Sequence, residues 1–412
     1  MIPAILGPTE FGRFVVADLF ARYLMIADLG LVLLLDRKIP PLVAVGDTIA
    51  ADQITQHILW MRTIVGGLAG GAFMAAVLYL GFTGDLAVGI PAALFSGAYG
   101  TFALLTGGPV AAWRASSRYR ALVLSTALIN IGLSVPRVIG AWLGGVAGCF
   151  LALALWFGLS AVVLQCNLPL RTSARPSFRD GFSLLAESLP LFAGWLGWAL
   201  YLMANRSVYA TIAGHAELGQ FSFGASILML LVTTASMAYA VYCPKLAGQV
   251  ATAPPYTHSE KLLRDSAILT IGGGAFCLTA ILLLPAATKA FYPQFIASVD
   301  VARILLISGP PYLVASLYTQ LIIAVGRHPW TDAITVFPAS LLALAAGILV
   351  GHAAAGMPGA AAGSVAGTLL CPFLQLIILR RSEIVRTRHL VTLILCVALT
   401  TGALAIAASL VH

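Results

Sequence analysis

The chain has 412 residues, of which 60% are hydrophobic and only 9% are charged. Soluble domains carry about 25% charged residues, so this composition excludes an ordinary soluble protein and indicates a polytopic membrane protein. The net charge of +8 could suggest nucleic acid, but no soluble stretch interleaves basic residues with aromatic ones, which argues against that partner.

Apolar runs of membrane-spanning length follow one another along the whole chain. An α-helix needs about 20 apolar residues to cross the hydrocarbon core of a bilayer. The runs predict twelve spans, near residues 11–35, 58–82, 87–112, 121–142, 144–166, 189–211, 218–242, 262–284, 298–325, 331–351, 359–380 and 390–410. The prolines Pro310, Pro311 and Pro338 are expected to interrupt two of these helices. The predicted fold is all-α, and the 40 glycines suit close helix packing.

Most Lys and Arg residues fall in the loops on one side of these spans. They are Arg37, Lys38, Arg114, Arg118, Arg120, Arg171, Arg175, Arg179, Lys245, Lys261, Arg264, Arg327, Arg380, Arg381, Arg386 and Arg388. The opposite loops, at residues 83–86, 143, 212–217, 285–297 and 352–358, contain only Lys289. Because basic loops stay in the cytoplasm, we expect a multi-pass protein of the inner membrane whose C-terminus lies outside.

A short glycine motif occurs twice, at residues 7–14 and 214–221. Both copies read G-x-x-E-[FL]-G-x-F, and each opens a long apolar run that ends in a cluster of proline and basic residues. The shared positions are Gly7, Glu10 and Gly12 in the first copy and Gly214, Glu217 and Gly219 in the second. Such self-similarity is typical of transporters built from two repeated bundles, although chance similarity is the alternative. The glutamates are expected to cap helix N-termini in outward-facing turns, with a gate role as the second interpretation.

The repeat divides the chain into four parts. They are an N-terminal bundle at 1–166, a cytoplasmic connector with an amphipathic stretch at 167–188, a C-terminal bundle at 189–380, and a cytoplasmic loop with an additional helix at 381–412. A full predicted helix precedes the second motif, whereas six residues precede the first. We therefore expect that the usual first helix is missing. Either the start codon is assigned too late, which we favour, or the protein works without that helix.

Three stretches, at residues 6–12, 27–31 and 216–222, resemble the polysaccharide and lipid-linked oligosaccharide flippases of the MOP exporter superfamily, a group that includes O-antigen flippases. The resemblance extends from Leu6 to Arg381. It implies two six-helix bundles arranged as a V, alternating access, and a central cavity. That cavity would receive an undecaprenyl-pyrophosphate-linked glycan from the cytoplasmic leaflet and deliver it outward.

The resemblance also indicates which helices line the cavity. In these flippases they are the first, second, seventh and eighth, of which this chain has counterparts at 11–35, 189–211 and 218–242. Family members often carry an acidic residue before the arginine late in the seventh helix. This chain has Asn205 before Arg206, which argues against ion coupling by an acid at that position.

Three arginines at membrane depth are candidates for binding the pyrophosphate of the substrate. An ionisable group in the membrane is costly unless it faces a cavity or a partner, and a guanidinium suits phosphate oxygens. Arg22 is one candidate, although Asp18 one turn earlier could simply neutralise it. Arg206 is equally ranked, with snorkelling to the outer interface as the alternative. Arg137 ranks lower, because it follows Pro136 and could fill backbone carbonyls that the proline frees.

The acidic residues in the first span are candidates for ion coupling. Asp28 has no basic residue one turn away, so it could bind a proton or Na⁺, or else bond to a neighbouring helix. Asp18 is the second candidate. Arg62 is expected to anchor its span at the cytoplasmic interface, and Arg303 is expected to pair with Asp300.

Other function classes fit the sequence less well. A membrane-embedded glycan polymerase or ligase needs catalytic groups outside the bilayer, but the predicted outer loops are short, so we expect no enzymatic activity. No P-loop motif is present in the sequence, which excludes an ATPase mechanism within this chain. A multidrug or small-molecule antiporter of the same superfamily is the transport alternative. We expect a lipid-linked glycan, membrane lipids and other glycan-assembly membrane proteins as partners, and no cofactor apart from a coupling Na⁺ or H⁺.

Overall fold

The structure, a computed structural model, describes residues 1–84, 88–116, 118–168, 176–252, 259–325, 332–381 and 385–410. Within these ranges the regular structure is helical. The α-helices are α1 (Ile2–Met25), α2 (Leu31–Ala44), α3 (Thr48–Thr83), α4 (Ile90–Ala115), α5 (Tyr119–Cys166), α6 (Phe178–Ala210), α7 (His215–Thr252), α8 (Ser259–Phe291), α9 (Val299–Leu306), α10 (Gly309–Val325), α11 (Phe337–Arg381) and α12 (Thr387–Leu410). Arg171, Arg175 and Arg327, which we expect in basic loops, lie outside the described residues.

Contacts divide the chain into two compact units. The first unit comprises Met1–Leu6 and Arg13–Phe192, and the second comprises Gly7–Gly12 and Ala193–His412. Helix α1 therefore contributes residues to both units. The amphipathic stretch that we expect in the connector is the beginning of α6, a single helix that continues as the next span.

Eight of the described helices are long and apolar enough to cross a membrane, or nine if the bent pair of α9 and α10 is counted as one span. The helices α5 and α11 each contain a chain reversal, so each supplies two spans. Helix α1 falls outside this set because it carries Glu10, Arg13, Asp18 and Arg22. Counting it as a span gives the twelve that the sequence predicts, and the chain is an all-α, multi-pass membrane protein.

The same helical hairpin occurs once in each unit. In α5 the chain reverses at Gly144 (φ −148°, ψ 24°) and Gly145 (φ 58°, ψ −139°). In α11 it reverses at Ala355 (φ −145°, ψ 24°) and Gly356 (φ 62°, ψ −141°). The second residue of each turn has a positive φ, which glycine adopts without strain. This shared turn supports the two pseudo-repeated bundles that the sequence predicts.

Glycines bring the two arms of each hairpin into backbone contact. A Cβ on Gly140 would overlap the carbonyl oxygen of Gly148, and a Cβ on Gly351 would overlap that of Gly359. In α5, the indole Nε1 of Trp156 also donates to the carbonyl oxygen of Leu128 on the opposite arm, at 3.1 Å. Small residues allow close approach of helices in lipid, where the hydrophobic effect does not drive helix association.

The predicted first span, 11–35, is wrong in detail. The helical structure begins at Ile2, breaks at Gly7 (φ 71°), and breaks again at a 3₁₀ turn, Ile26–Asp28, before α2 continues to Ala44. The cluster at 36–40, which we expect to end the span, lies inside α2. Two of its three charges pair with neighbouring helices: Arg114 of α4 donates to Asp36 at 2.5 Å, and Lys38 donates to Glu187 of α6 at 2.5 Å.

The predicted proline interruption in the span at 298–325 is confirmed. Helices α9 and α10 bend by 52° at a break immediately before Pro310 and Pro311. A π-helical turn, Asp332–Val336, precedes α11, in which Pro338 occupies the first turn. A proline in the first helical turn is well tolerated because its missing N–H would have no helical partner there.

Candidate functional site

The two copies of the glycine motif meet at a helix crossing within the second unit. A Cβ on Gly12 would overlap the backbone carbonyl of His215, and a Cβ on Gly219 would overlap that of Pro8. The contact is reciprocal, because Gly12 and Gly219 hold the same place in their motifs, as do Pro8 and His215. The second glycine of each motif is therefore required for close backbone approach. Glu217 lies in the first turn of α7, and the capping and gate roles of the motif glutamates stay predictions.

The ion pair between Asp18 and Arg22, which the sequence offers as the alternative to a substrate role for Arg22, is present in α1. The Nε of Arg22 donates to Oδ2 of Asp18 at 2.6 Å. The Arg22 side chain is 52% exposed, whereas that of Asp18 is 13% exposed. Arg137 of α5 lies near this pair, because its guanidinium contacts the ring of Phe14, one turn before Asp18 on α1. The first unit therefore holds a cluster of charges in which one guanidinium is reachable from outside the protein.

Arg137 of α5 belongs to the same cluster. Its guanidinium carbon lies 4.6 Å from the centroid of the Phe14 ring on α1, within the range of a cation–π contact. Its Nε is buried and has no hydrogen-bond partner in the structure. We expect Arg137 to bond the backbone carbonyls that Pro136 frees. The contact observed is instead the one with the Phe14 ring.

The break between α1 and α2 is built around Asp28. Leu29 adopts a left-handed conformation (φ 50°), and so does Gly30 (φ 80°). Oδ2 of Asp28 accepts a hydrogen bond from the backbone N–H of Val32 at 3.1 Å, so Asp28 caps the start of α2. The hydroxyl of Ser188 donates to the carbonyl oxygen of Leu29 at 2.8 Å. Two backbone groups at the break, the N–H of Val32 and the carbonyl of Leu29, thus have hydrogen-bond partners inside the first unit, as irregular backbone at membrane depth requires.

Arg62 of α3 is the partner of Asp28, and the expectation that it anchors its span at the interface is wrong. Its Nε donates to Oδ1 of Asp28 at 2.5 Å, and the two side chains are 4% and 13% exposed. Helix α3 begins at Thr48 rather than near residue 58, which moves Arg62 from the end of the span into its interior. The guanidinium packs against Gly107 and Gly108 of α4, and its Nη1 is buried without a hydrogen-bond partner among the described residues.

In the second unit, Arg206 bonds a neutral partner. Its Nη2 donates to Oγ of Ser226 on α7 at 2.9 Å, and Ser226 donates in turn to the carbonyl oxygen of Ser222 at 2.7 Å. The alternative to a substrate role is that Arg206 snorkels to the outer interface. The observed contact is with α7, the next helix, and so differs from that alternative. Arg303 contacts Asp300 at 3.4 Å, as we expect from their spacing.

Asn205, beside Arg206, joins a buried neutral network that sequence reasoning missed. Its Nδ2 donates to the hydroxyl of Tyr312 at 3.2 Å, and the hydroxyl of Ser364 donates to its Oδ1 at 2.8 Å. The hydroxyl of Tyr201 donates to the carbonyl oxygen of Thr368 at 3.1 Å. The available signal was the spacing of Ser364 and Thr368, which places two polar side chains on one face of an apolar helix.

Comparisons with known proteins identify the fold. No family model matches the chain, and no curated protein matches it in sequence. Among solved structures, an inward-facing multidrug resistance MATE family transporter of the MOP superfamily matches with a TM-score of 0.71 and 16% identity, over 93% of this chain and 92% of that one. The lipid II flippase MurJ matches with a TM-score of 0.68 and 11% identity, over 98% and 88% of the two chains.

A third structure, a MOP superfamily transporter from Pyrococcus furiosus, matches with a TM-score of 0.62 and 17% identity, over 93% of this chain and 97% of that one. The resemblance that the sequence suggests is therefore supported by structures from both a drug transporter family and a lipid flippase. The chain has the fold of the transporters of the MOP superfamily.

Proposed function

We propose that this protein translocates a lipid-linked oligosaccharide or polysaccharide repeat unit, carried on undecaprenyl pyrophosphate, across the inner membrane by alternating access. The observation that carries the proposal is the half-exposed guanidinium of Arg22, which pairs with Asp18, together with Arg137, which contacts Phe14 one turn before Asp18 on α1. Two positive charges close to one negative charge favour an anionic group. A bidentate guanidinium matches the oxygens of a pyrophosphate.

The residues have distinct roles in this proposal. Arg22 and Arg137 of the first unit and Arg206 of the second bind pyrophosphate oxygens at different stages of the cycle. When the phosphate approaches Arg22, the guanidinium exchanges the carboxylate of Asp18 for the substrate. The Asn205 network, beside Arg206 in the chain, consists of neutral groups, so a phosphate that contacts it would meet no acidic side chain there.

Asp28 is the proposed coupling residue, with Asp18 second. Its carboxylate now bonds Arg62 and caps α2. A proton or Na⁺ that takes the carboxylate must displace Arg62, and this would release the break between α1 and α2. Coupling would then act through the geometry of the first span. Replacement by Asn should make the transport rate independent of an imposed proton or Na⁺ gradient.

The transport test uses the full chain in proteoliposomes with a fluorescent undecaprenyl-pyrophosphate-linked glycan. Dithionite, which does not cross the bilayer, quenches the label only in the outer leaflet. We expect the wild-type protein to expose the label of the inner leaflet, and Arg22→Ala and Arg206→Ala each to abolish that exposure. Arg120→Ala, a change to an exposed arginine in the first unit, is the matched control and should transport normally. Full transport by both test variants would overturn the assignment of these arginines.

The main alternative is an antiporter of small molecules or drugs, and the match to a MATE family transporter favours it. The arginines of the first unit argue against a cationic drug, because like charges repel. Export of a fluorescent cation driven by a proton gradient, with no movement of the labelled glycan, would establish the antiporter instead. A glycan polymerase or ligase is less favoured, and release of polymerised or transferred glycan in the same vesicles would reveal it.

A further inference from the structure

The first unit exposes two helix faces of different chemistry. The second arm of α5 exposes Leu151, Leu155 and Leu159, which follow one another at one-turn spacing and form an apolar face suited to lipid. The exposed face of α1 instead carries the half-exposed guanidinium of Arg22, and the next residue, Tyr23, is 42% exposed. A charged group on a lipid-facing surface is costly, so this face of α1 suits a water-filled cavity. An accessible aromatic ring therefore lies beside the arginine that we assign to the pyrophosphate.

A second aromatic residue of α1 lies on the same side of the helix as Tyr23. Phe20 precedes Tyr23 by three residues, a spacing that places two side chains on one helix face. The ring of Phe20 contacts that of Phe73 on α3, with centroids 5.7 Å apart. Gly97 of α4 makes room for Phe73, because a Cβ on Gly97 would lie 2.5 Å from Cδ1 of that ring. Two neighbouring helices thus position the aromatic face of α1.

A sugar ring matches a tyrosine next to a phosphate-binding arginine. In the proposed substrate the pyrophosphate carries a prenyl chain on one side and a sugar on the other. The prenyl chain is stabilised by the apolar bilayer, whereas the sugar needs water or polar groups around its hydroxyls. A pyranose of glucose configuration has equatorial hydroxyl groups, so the flat face of its ring presents C–H groups. Tyrosine has an apolar ring for such a face and a polar hydroxyl at its end.

We propose that Tyr23, together with Phe20, binds the sugar ring that is attached directly to the pyrophosphate held by Arg22. This inference rests on the proposed function, because Arg22 places the phosphate beside Tyr23. Its consequence is selectivity for the loaded carrier lipid over the bare carrier pyrophosphate. Both lipids offer the same phosphate oxygens to Arg22, but only the loaded one offers a sugar ring to Tyr23. A prenyl chain on the same aromatic face would give no such selectivity.

The test is isothermal titration calorimetry of the purified full chain in detergent. Two probes share the same short prenyl chain and pyrophosphate, and only one of them carries glucose. We expect the wild-type protein to bind the glucosylated probe about fivefold more tightly, which is the size of one aromatic contact. Tyr23→Leu, which keeps the apolar bulk but removes the ring, should abolish this preference, and Tyr23→Phe should retain most of it. Tyr79→Leu, a change at an exposed tyrosine of α3, is the matched control and should leave the preference unchanged.

The sugar site and the pyrophosphate site fail in different ways. Arg22→Ala should weaken the binding of both probes by the same factor and leave their ratio intact. Equal binding of the two probes that still depends on Arg22, or an unchanged ratio in Tyr23→Leu, would overturn the sugar site alone. Binding that does not depend on Arg22 would overturn the pyrophosphate site, and no binding of either probe would overturn both. Melting temperatures identify a variant that has lost its fold, and Tyr23→Gln, which also lacks the ring, then replaces Tyr23→Leu.

Discussion

The two units share a hairpin with nearly identical turns but differ in the chemistry of their interiors. The first unit holds three ion pairs, Asp18 with Arg22, Asp28 with Arg62, and Asp36 with Arg114, and in the pair of Asp28 with Arg62 both side chains are at most 13% exposed. The described part of the second unit holds buried neutral hydrogen bonds, from Asn205 to Tyr312 and from Gln375 to Thr319, and its pair of Asp300 with Arg303 leaves the Asp300 side chain 53% exposed. The repeated backbone therefore does not repeat the chemistry, and the functional groups must be read from each unit separately.

This difference has an energetic consequence. A buried ion pair is strongly destabilised when one partner is removed, because an uncompensated charge remains in a medium of low dielectric constant. Removing one partner of a neutral hydrogen bond lowers the free energy of unfolding much less. The first unit is thus the one whose structure can respond strongly to a change of charge, and this is where we place ion coupling.

The largest expected effect is in the first unit. Arg62→Ala should lower the free energy of unfolding by about 3–5 kcal/mol, because the Asp28 carboxylate would stay buried without its partner. The double variant Asp28→Asn with Arg62→Met removes both charges and should recover much of that loss. Melting temperature in detergent and the yield of monodisperse protein measure both variants. A single variant as stable as the wild type would show that the pair does not hold the break together.

The hairpins of the two units should be destabilised equally by an added Cβ where their arms are in contact. Gly148→Ala in α5 and Gly359→Ala in α11 each place a Cβ against the backbone carbonyl of the opposite hairpin arm. A backbone carbonyl cannot move aside as a flexible side chain can, so each substitution should lower the free energy of unfolding by about 1–3 kcal/mol. Gly144→Ala is the control, since no atom lies within 4 Å of its added Cβ. A large cost in one unit alone would contradict the equivalence of the hairpins.

The sequence predicts local features well, because periodicity and spacing act over one or two turns. The pairs of Asp18 with Arg22 and of Asp300 with Arg303 follow from i, i+4 and i, i+3 spacing, and both are present. The bend before Pro310 follows from the chemistry of proline. Each of these features is encoded within a few residues.

Features that depend on tertiary packing were not predicted in detail. The sequence allows that Asp28 bonds a neighbouring helix, but it does not indicate that Arg62 is the partner. Arg62 and Asp28 are 34 residues apart, and no local pattern indicates that their helices meet at that depth. The break at Leu29 places a non-glycine residue in a left-handed conformation, which Asp28, Ser188 and Arg62 together support. The Asn205 network joins α6, α10 and α11 for the same reason: its partners are distant in sequence.

The smallest expected effect is in the second unit. Tyr312→Phe removes the hydroxyl that accepts a hydrogen bond from Asn205, and it should cost about 1 kcal/mol because only a neutral donor is left unpaired. The Asn205 side chain keeps its bond from Ser364, which limits the loss. The same melting measurements apply, with Tyr119→Phe, a change at an exposed tyrosine, as the control. A loss as large as that of Arg62→Ala would mean that the neutral network is as sensitive as the ion pairs, and the proposed division between a responsive first unit and a passive second unit would fail.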